Sequence, residues 1–115
     1  MALTEFEEAR IHKIVSAFVE KHRPSPEIRE QMDLSYRLKG QSVELFEIRP
    51  YWNNPSEEIE DAVAKMTYVK SKKVWKLFWQ RADLKWYGYE PYPMCKTLEE
   101  CLAVIDDDEY ACFWK

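Results

Sequence analysis

Apolar residues recur every three or four positions near the start of the chain and every second position through much of the remainder. Leu3, Ile11, Ile14, Val15, Phe18 and Val19 fall within one broad face of a helical projection, while Arg10, Lys13, Ser16 and Glu20 take the other. This spacing predicts an amphipathic helix from Thr4 to His22. Thr4 is its expected N-cap, and Glu7 is placed to complete a capping box by reaching back to the cap's backbone N–H. Pro24 cannot continue the helix and pushes Arg23 towards extended backbone. Pro26 suits the first position of one short helical turn.

The period then changes. Met32, Leu34, Tyr36 and Leu38 alternate with Asp33, Ser35, Arg37 and Lys39, the pattern of a half-buried strand. Gly40 in Lys39-Gly40-Gln41 permits a tight turn. A second strand is expected from Ser42 to Arg49, ended by Pro50, with Tyr51 to Pro55 as a loop and Ser56 to Asp61 as an acidic lead. Further strands are expected at Val63 to Val69, Val74 to Arg81 and, briefly, Lys85 to Tyr89. Thr97 opens a second helix with another capping box to Glu100, burying Leu98, Cys101, Leu102 and Ile105, and Asp106-Asp107-Asp108 ends it. Tyr110 to Lys115 are read as a tail or edge strand. This order lacks βαβ alternation. It predicts an α+β fold in which an antiparallel four- to five-stranded sheet carries an N-terminal and a C-terminal helix on one face.

Length and composition narrow the reading. At 115 residues, with 46% hydrophobic and 33% charged residues, the chain is expected to form one domain over residues 1–115 around one core. Two glycines are too few for a phosphate-binding loop of the P-loop or dinucleotide type. No run approaches the roughly 20 apolar residues that cross a bilayer, so no membrane association is expected. The acidic, mixed start, Met1 to Glu8, is unlike a secretory signal. Cys95, Cys101 and Cys112 form neither a disulfide framework nor a zinc-ribbon spacing, which points to reduced thiols in the cytoplasm. No cofactor and no metal is expected.

Charge is unevenly spread. Residues 62–96 hold 8 Lys/Arg against Asp83 and Glu90 alone, a net of +6, between flanks of −5 each. The same segment holds 8 of the 17 aromatic residues. With Trp75, Leu77, Trp79 and Trp86 turned to the helices, the opposite face would carry Lys65, Lys76, Phe78, Lys85, Tyr87 and Tyr89. Ammonium groups among flat rings on a sheet suit a single-stranded nucleic acid, since the cations offset phosphate charge and the rings stack on bases. The competing reading is that a small sheet fills both faces with aromatics for stability, under a loop or a dimer partner.

Other constellations are weaker. Asp83-Leu84-Lys85 has the acid–x–lysine spacing of metal-dependent nucleases and phosphodiesterases; Asp83 and Lys85 are therefore catalytic candidates, with Glu47 or Asp61 as the second acid. The simpler role for Asp83 is a turn cap. His12 and His22 do not share the i, i+4 spacing of a metal pair and read as structural, as does Cys101. Asp106 to Glu109 lack the glycine and spaced ligands of a calcium loop.

The stretches Gly40–Pro50, Tyr68–Ser71 and Val74–Trp86 are distinctive, as are Tyr89–Pro91, Thr97–Glu100 and Asp108–Trp114. Together they resemble a family of small bacterial proteins described as a domain of unknown function, DUF3024. The resemblance covers nearly the whole chain and implies a stand-alone, bacterial, cytoplasmic protein; it implies no activity, cofactor or catalytic residue. The functional expectation is a non-enzymatic binding module using residues 62–96, with single-stranded nucleic acid as the first ligand. The alternatives are the nuclease just described and a protein-interaction domain, a homodimer included, that uses an exposed edge and the Tyr51-Trp52 loop.

Overall fold

The computed structural model describes residues 3–114, apart from the side chain of Pro55. Its elements are α1 (Glu5–His22), β1 (Asp33–Lys39), β2 (Ser42–Tyr51), β3 (Asn54–Val69), β4 (Val74–Gln80), β5 (Trp86–Gly88), β6 (Met94–Cys95) and α2 (Leu98–Asp107). The strands form one antiparallel sheet in the order β1-β2-β3-β4-β5, and β6 joins β4 beyond the end of β5. Both helices lie on the same face, as an α+β fold requires of a sheet with one buried side.

The helix boundaries are set by local chemistry. The Thr4 hydroxyl accepts the Glu7 N–H at 3.1 Å and Glu7 accepts the Thr4 N–H at 2.8 Å, so the capping box is complete. Before Pro24, Arg23 takes extended backbone, and its guanidinium grips Asp33 through two 2.9 Å hydrogen bonds. That clamp sets where the chain enters β1. The Arg23 pair holds the Asp33 carboxyl below the usual carboxylate range. At α2, Thr97 again caps Glu100 at 3.1 Å, but Glu100 reaches back to the Lys96 N–H rather than to the cap.

Ile11, Val15 and Val19 of α1 and Leu98, Cys101, Leu102 and Ile105 of α2 bury against Leu34, Val43, Leu45, Met66, Trp75 and Leu77. The Cys95 and Cys101 thiols are buried in this core and share a hydrogen bond, which holds the Cys95 thiol down and, with burial, pushes the Cys101 thiol up.

Three features depart from the pattern reading. Pro50 does not end β2, which continues to Tyr51 and turns through Trp52-Asn53 into β3. Beyond Ile48 no part of β1 lies alongside, so Pro50 sits on an edge, where a missing N–H costs no ladder bond. The acidic residues 56–61 are likewise strand. The tail is neither loose nor a strand: Phe113 packs in the core on Tyr89, and the Trp114 indole N–H donates to the Ile105 carbonyl at 2.9 Å. Lys115 lies outside the described residues.

Asp108 organises this tail. It caps α2 in the left-handed region, at φ 42°, and its carboxylate accepts the backbone N–H groups of Cys112, Phe113 and Trp114 at 2.8, 3.1 and 2.9 Å. Replacing Asp108 with Ala strands these donors, and a lost acceptor for a partly buried N–H costs about 1–3 kcal/mol. Urea unfolding of Asp108→Ala should show at least that loss, with proteolysis shifted to the last turn of α2. An unchanged midpoint would show that the tail holds itself in place.

Candidate functional site

The face of the sheet turned away from the helices is built from alternate residues of β1 to β5. Register places Arg37, Glu44, Lys65 and Phe78 in one row across four strands, and Lys39, Ser42, Thr67 and Lys76 in the next. Beside them, Phe78 lies opposite Gly88, and Gln80 opposite Trp86. Trp86 and Phe78 therefore share this face, half-buried, with the Lys65 ammonium 5.7 Å from the centroid of each ring. Neither helix packs over them.

Phe46 adds a third ring. Strand alternation buries Leu45 and Phe46 on opposite faces, and a bulge opposite them makes Val63 an extra residue on β3. The Arg37 guanidinium lies 4.3 Å above the Phe46 ring and pairs with Glu60. Between Phe46 and Trp86 is a recess of about 290 Å³, walled by Arg37, Glu60, Gln80 and Leu84.

The β4–β5 loop decides which rings reach this face. The Leu84 N–H donates to the Arg81 carbonyl at 2.8 Å and the Arg81 N–H to the Lys85 carbonyl at 3.2 Å, giving a three-residue hairpin loop. Such loops place a residue in the left-handed region, normally Gly; here it is Leu84, at φ 64° and 74% exposed. Asp83 braces the loop by accepting the Lys85 N–H at 3.0 Å and the Tyr87 hydroxyl.

The expected site residues divide accordingly. Lys65, Lys76 and Phe78 lie together on the open face, with Lys76 exposed. Lys85 is an exposed loop residue. Tyr87 is a correction: it pairs with Trp79 on the helix side, where the Arg81 guanidinium lies 5.0 Å from the Trp79 ring and 4.1 Å from the Tyr87 ring. Tyr89 is a second: only 2% exposed, it packs on Phe113 at 4.8 Å between centroids. Trp86, expected in the core, takes their place outside. The alternation along β5 is as read, but its faces are exchanged, because one residue of loop length flips a strand's whole set of side chains. Gln80 shares the alternation of Lys76 and Phe78 along β4, whereas Leu84 had no signal in it.

As for the catalytic candidates, both carboxylate oxygens of Asp83 are engaged within its own loop. Glu47 and Asp61 sit together on β2 and β3, both on Arg49. Among the described residues no group of three or more His, Cys, Asp or Glu is placed to hold a metal ion. His12 bonds the Tyr36 hydroxyl at 2.8 Å, and His22 lies against Phe18 and Trp114 beside Asp106 at 3.3 Å.

The architecture is that of an α+β protein whose antiparallel sheet is covered on one side only. Residues 3–115 match the model of the family described as Domain of unknown function (DUF3024), and the chain belongs to that family. No curated protein and no solved structure matches it. No helix among the described residues is long and apolar enough to cross a membrane.

The Asp83–Tyr87 contact has a pH signature. The Tyr87 hydroxyl, then the Lys85 N–H, hold the Asp83 carboxyl below its ordinary value, and Asp83 in turn raises the Tyr87 phenol. The depressed carboxyl stabilises the folded loop fully above the ordinary value of about 3.9, and that contribution is lost as pH falls through the folded value. Carboxyl NMR titration should show Asp83 moving up towards the ordinary value in Tyr87→Phe. An Asp83 titration indifferent to that change would place its stabilisation elsewhere.

Proposed function

We propose that the open sheet face binds single-stranded nucleic acid as a non-enzymatic module. The observation that carries this reading is the Lys65 ammonium held between Phe78 and Trp86 on a face that no helix covers. A single strand needs cations spaced along a surface for its phosphates and flat rings beside them for its bases. Lys65 and Lys76 supply the first, and Phe78 and Trp86 the second. The recess beside Trp86 offers room for one base, with Gln80 and Glu44 on its wall as hydrogen-bonding groups. Arg37 adds less charge than its type suggests, because Glu60 and Glu44 already engage it.

The test is fluorescence anisotropy with labelled single-stranded RNA and DNA at two salt concentrations. Affinity should fall steeply with salt, and each of Lys65→Gln and Lys76→Gln should reduce the slope by about 0.7. Trp86→Ala should weaken binding by about five- to hundredfold, the worth of one stacked base. Lys21→Gln, on α1, should leave both quantities unchanged. Absence of binding at low salt, or Trp86→Ala without effect, overturns the proposal.

A further inference from the structure

The β2–β3 hairpin outruns the rest of the sheet. Pairing with β1 stops at Ile48 and pairing with β4 starts at Lys65, so residues 49–59 form a two-stranded ribbon standing clear of both neighbours. Such a ribbon is marginal in water on its own. Its tip is Trp52, 83% exposed, in a two-residue turn, and Ile59 is exposed along its flank. An uncovered indole at the end of a projection is the form an interface anchor takes. The carboxylates of Glu57 and Glu58, beside the tip, have no ion-pair partner among the described residues.

The opposite end of the molecule carries the counterpart. A cavity of about 300 Å³ opens between the start of α1, the β3–β4 turn and the start of α2. Its floor is apolar, formed by Ile11, Ile14, Trp75 and Leu98. The acids on its rim are engaged, Glu7 with Lys70 at 3.4 Å and Glu99 with Arg10 at 3.9 Å. Lys73 and Lys96, also on the rim, have no ion-pair partner among the described residues. An apolar floor under free ammonium groups fits an aromatic side chain flanked by carboxylates.

We infer that the Trp52 ribbon tip of one copy of this chain seats in the Lys73–Lys96 cavity of a second copy. The chain cannot make this contact with itself: β3 runs from the tip to the cavity end, and the molecule is 45 Å long. Two copies lying antiparallel side by side place each tip at the other's cavity, so both contacts close in one two-fold dimer. Glu57 and Glu58 then meet Lys73 and Lys96, and the indole leaves water. The Trp52 tip and the cavity share no residue with the Lys65–Trp86 site.

Sedimentation equilibrium of the full chain tests the inference. The wild-type chain should form a dimer and nothing larger, weakening as salt rises. Trp52→Ala should raise the dissociation constant at least about tenfold, as removal of an interface anchor does. Lys73→Glu with Lys96→Glu should abolish association, and adding Glu57→Lys with Glu58→Lys to that chain should restore it. Restoration by charge exchange is a result that misfolding cannot imitate. A monomeric wild-type chain, open-ended assemblies, a dimer indifferent to Trp52→Ala, or failure of the exchange to restore association each overturns it.

Discussion

The Leu77 backbone holds the two halves of the sheet's far edge in place. Its N–H donates to the Pro93 carbonyl at 3.0 Å, and its carbonyl accepts the Tyr89 N–H at 2.9 Å, so both buried polar groups are satisfied by the ends of one excursion. The chain between Tyr89 and Pro93 loops out opposite this single residue, and β5 and β6 lie on either side in fixed register. The side that each β5 ring takes goes with that register. With Gly88 opposite Phe78, Tyr87 and Tyr89 must point to the helices and Trp86 away from them. Tyr89 then meets Phe113, which the Asp108 carboxylate holds in the core through its backbone N–H.

The open face arises from the same constraint together with the supply of covering elements. One layer of two helices meets one side of the sheet, and the described chain packs no third helix against the other. Aromatic residues that alternation turns outward are sheltered there by cations: Arg37 over Phe46, and Lys65 beside Phe78 and Trp86. Lysine and arginine stems cover apolar rings while their charged heads stay in water. A surface built this way shelters its rings while keeping its charges in water. The basic character that segment counting assigns to residues 62–96 is only partly on this face. Lys70, Lys73 and Lys96 lie at the end of the molecule that holds the cavity, and Arg81 lies on the helix side.

What could be read from the residues was governed by chemistry close in sequence. The Thr4–Glu7 box, the stop before Pro24 and the Thr97 cap are decided within four positions, and α1 and α2 have the expected starts. The alternation expected in β1 and β4 is also observed, because each strand has one clearly apolar side. The features that were not legible needed long-range pairing. Pro50 reads as a terminator unless β1 is known to end opposite Ile48. Residues 56–61 read as an acidic lead because glutamates are poor strand formers, yet β2 recruits them. Trp86, Tyr87 and Tyr89 alternate visibly, but the side each takes is set by loop length and by Leu84 at positive φ, which no local preference of leucine announces. Asp108 reads as one of three solvated acids, and only the folded tail reveals its three N–H partners.

The central claim is that the two sides of one sheet have separate roles, with Trp75, Trp79 and Tyr89 holding the fold and Trp86 facing a ligand. Heteronuclear NMR with a single-stranded oligonucleotide tests it most directly, because each indole N–H reports its own face. The account predicts shifts at the Trp86 indole and at the amides of Lys65, Lys76 and Phe78. The indoles of Trp75, Trp79 and Trp114 should stay where they are. Movement of those three with a stationary Trp86 would contradict it.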